Sequence, residues 1–326
     1  MSLLPRPLRN PVRTRPIIAL SAAALAALAL AGCSSQAEPK SSPTTTAAAD
    51  LCTAKVVSGT ESEAVKVTGE VGKEAKVTFD KPLNVTALQS SVVTEGTGDK
   101  LKAGDLVKFA LTEYDAKTGA KNGAVGQGES GLLPQQISAD SILGQVLGCA
   151  GVGTRVVATI PGNDTTPASV DVVDVLDIVP NAAWGTAVAP KAGFPQVELA
   201  ADGTPSVTLP KTDMPTTFQK ETLKKGDGPK VAAGDAVLVQ YYGVSWNSGK
   251  TFDKSWGGQP FSFQVGQGVV KGFSDAVTGE TVGSQVVAVL PPSVAYGEGK
   301  INDKDLKGQT LVFVVDILGV QRTNAQ

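Results

Sequence analysis

An internal repeat restricts the fold of this chain more than any other feature of its sequence. Residues 95–105 match residues 225–235, and residues 152–161 match residues 282–291, in both cases at an offset of 130. A third match, VVDVLDI in the first half against VVDIL near the end, has an offset of 142, so the second copy carries 12 more residues before its last strand. Three matches in the same order predict two copies of one fold.

The two copies divide the 326 residues into five regions. A Ser-, Thr-, Ala- and Pro-rich stretch without an apolar period precedes the first copy and is typical of a flexible tether. The stretch between the copies also lacks an amphipathic period, which indicates a linker, although Trp184 could pack on one copy. The predicted regions are a signal segment over 1–32, the tether over 33–50, the first copy over 51–180, the linker over 181–195 and the second copy over 196–326.

The second copy is predicted to consist mostly of β-strands. Apolar side chains at 237, 239 and 241 recur with the period of two that is typical of a strand, and residues 285–290 and 310–318 are β-branched runs. A short helix is predicted over 269–277, closed by Gly279. Several strands and one short helix in about 110 residues predict an α+β fold, with the helix packed on an antiparallel sheet.

The first 33 residues have the pattern of a targeting segment. Four arginines precede an apolar stretch from Ile17 to Leu30, which has the length of a signal-peptide core and is too short to span a membrane comfortably. The stretch ends in LAGC at Cys33, which resembles the bacterial lipobox, in which the cysteine is lipidated. We therefore predict lipidation at Cys33; a plain secretory signal is the alternative.

Composition and charge exclude several classes of function. The chain has no histidine, which removes Ser-His-Asp and Cys-His catalysis and the commonest transition-metal ligand. Residues 1–32 hold four arginines and no acidic residue, so the rest of the chain carries 25 basic and 31 acidic side chains, a formal charge of −6. We therefore expect no nucleic-acid binding, no metal and no cofactor.

Two cysteines remain beyond the signal segment, Cys52 and Cys149. An even number of cysteines in an exported chain favours a disulfide bond between them. Two buried thiols are the alternative.

Six short motifs follow one another in the second copy. They are VQYYG from Val239, GKTFDKS from Gly249, QPFSF from Gln259, VVKGF from Val269, PPSVAYG from Pro291 and TLVFVVDIL from Thr310. In this order and at these spacings, over about 105 residues, they resemble the FKBP-type prolyl isomerases. A single motif would be a weak signal, whereas the six together are specific.

The resemblance implies a five- or six-stranded antiparallel half-barrel around a short helix, with a cavity between sheet and helix. Residues that match the motifs of the family would line that cavity. The implied catalytic residues are Tyr241, Asp253, Tyr296 and Phe313, and the implied substrate-binding residues are Phe252, Phe261, Val269, Val270 and Phe273.

These residue types suit a reaction that makes and breaks no bond. A peptide bond resists rotation with a barrier of about 18–20 kcal/mol because the planar amide is stabilised by resonance. The twisted amide has less charge separation, so a dry apolar cavity favours it relative to water. Tyr296 and the backbone N–H of Val270 could donate hydrogen bonds to a substrate carbonyl, and Asp253 is expected to pair with Tyr241. Phe263, on an alternating strand position, is interpreted as core.

The sequence also departs from the pattern of the family. Phe273 stands where the family usually has tryptophan at the floor of the cavity, and Ile301 falls near a position often held by histidine. We expect activity to persist with an altered rate or ligand affinity.

The first copy lacks the side chains of the implied site, and the stretch that carries Tyr296 is missing from it. We predict that this copy keeps the fold without the activity. At the positions of Tyr241, Phe252, Asp253, Phe273 and Phe313, the first copy is predicted to have Leu111, Asn122, Gly123, Gln145 and Asp171.

The resemblance thus implies a peptidyl-prolyl cis-trans isomerase that acts on proline-containing segments of exported proteins. We expect a monomer held by lipid on the outer side of the bacterial cell membrane, with a macrolide inhibitor as a further ligand. A non-catalytic chaperone or proline-segment binding module is the alternative function. A solute-binding lipoprotein fits the anchor but not the repeated β architecture.

Overall fold

The computed structural model describes residues 50–128, 131–301 and 305–322. The predicted signal segment, nearly all of the tether and Cys33 lie outside these residues. The described part is an α+β structure that is rich in strands and has few, short helices. Within it, no helix combines the length and the hydrophobicity needed to cross a bilayer, and no cluster of acidic or cysteine side chains has the arrangement of a metal site.

The first copy forms an antiparallel sheet against one short helix. Along the described sheet the strand order is β3-β7-β8-β4-β5, with β6 also paired to β4. The strands are β3 (Gln89–Thr94), β4 (Leu106–Asp115), β5 (Lys121–Val125), β6 (Gln135–Gln136), β7 (Arg155–Ile160) and β8 (Ser169–Val179), and the helix is α3 (Ile142–Leu147).

The second copy forms a sheet of the same kind. Its order is β14-β13-β17-β16-β12-β9, with β15 also paired to β13. The strands are β9 (Thr186–Ala187), β12 (Gln219–Lys225), β13 (Ala236–Ser245), β14 (Thr251–Lys254), β15 (Phe261–Gln264), β16 (Gln285–Leu290) and β17 (Leu311–Gln321), and the helix is α4 (Lys271–Val277).

The two sheets correspond strand by strand. From β3 to β5 the order equals that from β12 to β14, and the β4–β8 and β13–β17 pairings share a bulge at the same place, after Lys108 and after Leu238. Side chains alternate between two faces along a strand. One face of the second sheet buries Val237, Val239 and Ile317 against α4, so this concave face holds the core.

A β-hairpin covers the opposite face of each sheet. The first hairpin is β1 (Lys66–Thr68) with β2 (Lys76–Thr78), and the second is β10 (Gln196–Leu199) with β11 (Pro205–Thr208). Apolar side chains of the hairpins pack on outward-facing valines, such as Val157 in the first sheet and Val287 in the second. The repeat therefore includes a hairpin that the matched segments did not reveal.

The segment 181–195, expected to be a linker, is part of the second sheet. Its residues 186–187 form β9, which pairs with the end of β12. Ahead of β9, the Ala183 N–H donates to Asp316 Oδ2 at 2.8 Å, and the Trp184 ring lies against Gly283. Because α1 (Leu51–Ala54) and α2 (Thr60–Glu63) lie at the same offset of 130 in the first copy, each repeat is longer than predicted.

The two sheets contact each other through leucines. Leu106, Leu238 and Leu318 form a buried cluster with Leu133 and Val179 packed against it. In the first copy, Cys52 and Cys149 are joined by a disulfide bond with a Cα–Cα distance of 4.7 Å. This bond ties α1 to the turn that follows α3.

Candidate active site

One cavity on the concave face of the second sheet gathers all nine predicted site residues. Its volume is about 230 Å³, and it lies between the sheet and the start of α4. Its lining consists of Tyr241, Phe252, Asp253, Phe261, Gly268, Val269, Val270, Phe273, Tyr296 and Phe313.

Two phenylalanines form the floor of this cavity. Phe273 from α4 is 4% exposed and Phe313 from β17 is 5% exposed, and their ring centroids lie 5.0 Å apart, edge to face. Tyr241 contacts both rings, at 5.7 and 6.2 Å. The rim is more open, with Phe261 at 37% and Tyr296 at 48% exposure. The cavity is therefore apolar at its base and accessible from solvent.

A glycine on β13 makes room for one aromatic wall. Gly243 pairs with Asp253 on one side and Phe313 on the other. A Cβ atom at this position would lie 2.7 Å from the Phe252 ring, so a larger residue would displace the ring. Phe252 can then pack edge to face on Phe313, at 5.4 Å between centroids.

The hydrogen bond expected between Tyr241 and Asp253 is present. Tyr241 Oη donates to Asp253 Oδ2 at 2.6 Å. Burial, together with this hydrogen bond and the negative charge of Asp253, holds the pKa of Tyr241 above its ordinary value. The Tyr241 hydroxyl therefore stays protonated at physiological pH.

Ser255 fixes the backbone that carries this pair. Its hydroxyl accepts from the Tyr241 N–H at 2.9 Å, and its own N–H donates to the Tyr241 carbonyl at 3.1 Å. The hydroxyl in turn donates to Gln240 Oε1. These contacts hold β14 against β13 where the two site residues meet.

The start of α4 closes the cavity on the helix side. Val270 is the residue before the helix, and within the described part of the chain its N–H makes no hydrogen bond. Two residues later, a Cβ on Gly272 would lie 2.5 Å from the Leu290 side chain, so glycine lets the helix approach β16 closely. The helix thereby presents Phe273 to the cavity and leaves one backbone donor at its edge.

Tyr296 reaches the cavity from the loop after the 3₁₀ turn Pro292–Val294. Its hydroxyl makes no hydrogen bond to any other described residue, and half of the side chain is exposed. A phenol in this position can donate a hydrogen bond to a bound carbonyl group.

Sequence reasoning missed Gly268 and the role of Ser255. Gly268 has φ +74°, a conformation that favours glycine, but a glycine before a helix is common and gave no specific signal. Phe263 lies outside the cavity lining, buried and stacked on Phe261 at 5.7 Å, which agrees with its interpretation as core.

The first copy has no comparable set of rings. Register places Leu111, Gly123 and Asp171 where the second sheet has Tyr241, Asp253 and Phe313. The prediction of Gln145 opposite Phe273 is wrong. Ser90 bonds the Val146 carbonyl as Lys220 bonds that of Ala276, so the offset of 130 continues through the helix and the counterpart of Phe273 is Leu143.

Asp171 is a buried carboxylate on the concave face of the first sheet. Its Oδ1 atom has no hydrogen-bond partner among the described residues. Burial raises the pKa of Asp171 from 3.8 to about 6, and the charge of Glu113 raises it further in the same direction. The folded chain therefore holds this proton more tightly than the unfolded chain.

We expect Asp171→Asn to stabilise the protein above pH 7. The folded-state pKa is the higher one, so the contribution of Asp171 to stability is complete below about pH 4 and is lost as the pH rises through about 6. The difference corresponds to about 3 kcal/mol at most. Urea unfolding at pH 5 and pH 8 should show a gain at pH 8 that shrinks at pH 5. Asp177→Asn, at an exposed position of the same strand, should change neither value.

Comparison with known proteins agrees with this site. A family model described as FKBP-type peptidyl-prolyl cis-trans isomerase matches residues 228–318. An FK506-binding protein of Streptomyces anulatus is 38% identical over 119 residues, which cover 36% of this chain and 96% of that protein. A probable FK506-binding protein of Corynebacterium glutamicum is 34% identical over 116 residues, 35% of this chain and 96% of that protein.

Among solved structures, this chain is similar to the crystal structure of FkpA from Escherichia coli. The identity is 26%, the match covers 40% of this chain and 53% of that chain, and the TM-score is 0.30. A TM-score this low adds nothing to the assignment.

The chain belongs to the FKBP-type family of peptidyl-prolyl cis-trans isomerases, because it covers nearly the full length of two relatives at more than 30% identity. It is therefore a peptidyl-prolyl cis-trans isomerase, and the family match lies in its second copy.

Proposed function

We propose that the cavity of the second copy accelerates rotation about X–Pro bonds in exported proteins by binding the twisted amide without any covalent step. The observation that carries this proposal is the single apolar cavity that joins four phenylalanine rings with the hydroxyl of Tyr296 and the N–H of Val270. Its volume of about 230 Å³ suits a prolyl ring with its flanking bonds.

The reaction needs no nucleophile. X–Pro bonds populate both isomers and exchange within tens to hundreds of seconds without a catalyst. In the twisted amide the carbonyl oxygen is less negative and the nitrogen less positive than in the planar amide. Water stabilises the planar form better, and a wall of rings reduces that advantage. Rate acceleration follows if the cavity binds the twisted form more tightly than the planar form.

Each polar group has a distinct task in this scheme. Tyr296 and the Val270 N–H donate to the carbonyl groups that flank the proline and so hold the chain while the bond turns. Asp253 accepts from Tyr241 and fixes the ring that borders the floor. Phe252, Phe261 and Phe273 surround the prolyl ring.

Tyr296→Phe tests the role of the free hydroxyl. Loss of one hydrogen bond that strengthens in the transition state corresponds to about 1.4 kcal/mol, or a tenfold lower kcat/KM. Stability should stay unchanged because this hydroxyl bonds no described residue. The measurement is a protease-coupled assay on an Ala-Pro peptide with the full chain.

Tyr242→Phe is the matched control. The Tyr242 hydroxyl bonds Thr251 Oγ1 at 2.6 Å, and its ring packs on the outer face of the sheet. It should keep the wild-type rate. Equal rates in wild type and Tyr296→Phe would remove Tyr296 from the mechanism, and an inactive wild type would contradict the proposed reaction.

We also propose that both copies are FKBP-like half-barrels around a short helix and that the first lacks isomerase activity. The shared strand order and the shared bulge support the common fold. Leu111, Gly123 and Asp171 at the positions of the site support the loss of activity, since none of them offers an aromatic wall. A macrolide of the FK506 type is a proposed ligand of the second cavity, with Phe273 as its floor.

Lipid anchoring outside the cytoplasmic membrane is proposed from the sequence pattern that ends at Cys33. Cys33→Ser should abolish incorporation of labelled palmitate and release the chain from the membrane fraction. Isomerase activity should not change, because residue 33 precedes both copies. An unlabelled wild-type chain would contradict the proposal.

A further inference from the structure

The outer edges of the two sheets differ, although the sheets correspond strand by strand. In the second sheet, β9 covers the end of β12, pairing Ala187 with Lys224 and Thr186 with Lys225. The Val188 N–H also donates to the Leu223 carbonyl at 2.9 Å. The chain therefore supplies its own strand to this edge.

The corresponding edge of the first sheet is uncovered. At the offset of 130, residues 56–58 would take the place of 186–188. Instead, the Val56 N–H donates to the Gln145 carbonyl at 2.9 Å, beside helix α3, and the Val57 carbonyl accepts from Ser90 near the start of β3. Within the described residues, no strand pairs with the outer edge of β3 at 92–95.

This edge has the features of a strand-binding site. It carries the same bulge as β12, between Val92 and Thr94. Val92 is 47% exposed and Val93 also faces solvent. Native proteins usually block an exposed edge with charge, proline or a covering segment, and two adjacent valines do none of these.

The surface beside the edge is also open in the first copy. In the second copy the Gly185 N–H donates to the Gly283 carbonyl at 2.9 Å, and a Cβ on Gly283 would lie 2.8 Å from the Trp184 indole. At the counterpart, Gly153, a Cβ would meet only the Gly96 Cα, at 3.5 Å. The place that takes Trp184 in one copy is therefore exposed in the other.

A cavity of about 240 Å³ adjoins the same edge. In the second copy Glu280 occupies the corresponding place, where it pairs with Lys220 at 3.2 Å and Lys225 at 3.4 Å. Ala150 stands at the counterpart position and is too small to fill it. The lining includes Lys55, Val92, Glu95, Cys149, Ala150 and Thr154.

We propose that the edge of β3 binds an extended, uncharged segment of another polypeptide as an added antiparallel strand. The bound segment carries an aromatic residue and a glycine, which lie over Gly153, followed by small or β-branched residues along 93–95. Main-chain hydrogen bonds supply affinity in strand addition, and the adjoining cavity selects an apolar side chain. The segment that the second sheet binds, Trp184 to Val188, defines this chemistry. The site is separate from the isomerase cavity.

The nonapeptide NAAWGTAVA, the sequence of residues 181–189, is the probe. It contains no proline, so it offers the isomerase cavity no prolyl ring. Fluorescein-labelled peptide titrated with the full chain should give a saturable rise in anisotropy. Hydrogen exchange with and without peptide should show new protection at residues 92–95.

Two variants and one control locate the binding. Glu95→Pro removes a backbone N–H from the edge, and Val92→Lys places a charge there; each should weaken binding at least about tenfold. Val125→Lys changes a valine of similar exposure, 45%, on the opposite edge strand β5, and should bind as wild type does.

Three results would overturn the proposal. The first is absence of saturable binding, and the second is equal affinity in Glu95→Pro and wild type. The third is a protection pattern elsewhere, either new protection at 223–225 or protection of 92–95 before peptide is added. The last pattern would mean that the chain already covers this edge.

Discussion

Phe313→Ala is expected to lower kcat/KM for an Ala-Pro peptide about a hundredfold or more. Phe313 contacts Tyr241, Phe252 and Phe273 at centroid distances of 5.0 to 6.2 Å, so its removal opens the floor and separates three walls of the cavity. Water can then enter beside the reacting amide and stabilise its planar form. A hundredfold loss corresponds to about 2.7 kcal/mol of transition-state stabilisation.

Loss of a buried ring also weakens the fold, so the rate needs a control with the same structural cost. Phe263 is buried in the same core as Phe313 but does not line the cavity. Phe263→Ala and Phe313→Ala should each destabilise the protein by about 3–5 kcal/mol. Only Phe313→Ala should lose most of its rate at a temperature where both variants are folded by circular dichroism.

Phe313→Leu gives an intermediate case. It keeps much of the apolar volume and should keep the fold, with a loss of rate between those of wild type and Phe313→Ala. A rate in Phe313→Leu and Phe313→Ala equal to that of Phe263→Ala would show that Phe313 acts only as core. The site proposed for the second copy would then lose its floor.

The cavity could be predicted from the sequence because each of its residues belongs to a short motif. Tyr241, Asp253 and Phe313 lie on three strands that are far apart in the chain, and their pairing follows from the order of the motifs. What the motifs did not contain was missed. Gly268 and Ser255 act through backbone conformation and hydrogen bonding, which leave no residue pattern of their own.

The offset of the repeat contained more information than the motifs. At a constant 130, Leu143 falls opposite Phe273, but the short helix of the first copy shares no motif with α4, and Gln145 was predicted one half-turn away. The same offset relates residues 181–195 to the segment that opens the first copy. Proline and glycine in that segment indicated a linker, whereas a backbone N–H to Asp316 and a two-residue strand attach it to the sheet.

Arg155 could not be interpreted from sequence either, since a single arginine before a β-branched run is usually exposed. The structure buries it, with Nε and one terminal nitrogen donating to Asp174 at 2.6 and 2.7 Å. The guanidinium also donates to the carbonyls of Gly69, Glu70 and Lys73, at 2.7 to 3.0 Å. One side chain thereby holds the turn of the first hairpin onto the sheet.

Arg155→Ala is expected to destabilise the protein by about 3–5 kcal/mol, because it leaves Asp174 buried without its cation and three carbonyls without a donor. The second sheet offers a natural replacement, since Gln285 at the matching position donates to Asp316 at 2.7 Å. Arg155→Gln should therefore lose less stability than Arg155→Ala. Urea unfolding measures both.

The double variant Arg155→Met with Asp174→Leu separates the cost of the unpaired charge from the loss of the contacts. Replacing both members of a buried ion pair with apolar residues is often close to neutral, whereas removing one is not. We expect the double variant to be more stable than Arg155→Ala but less stable than wild type, because Gly72 loses its hydrogen bond to Asp174 and the hairpin carbonyls stay unpaired. A double variant as unstable as Arg155→Ala would mean that the tether to the hairpin, and not the buried charge, accounts for the loss. Isomerase activity of the folded variants should remain at the wild-type level, since Arg155 belongs to the first sheet and the cavity to the second.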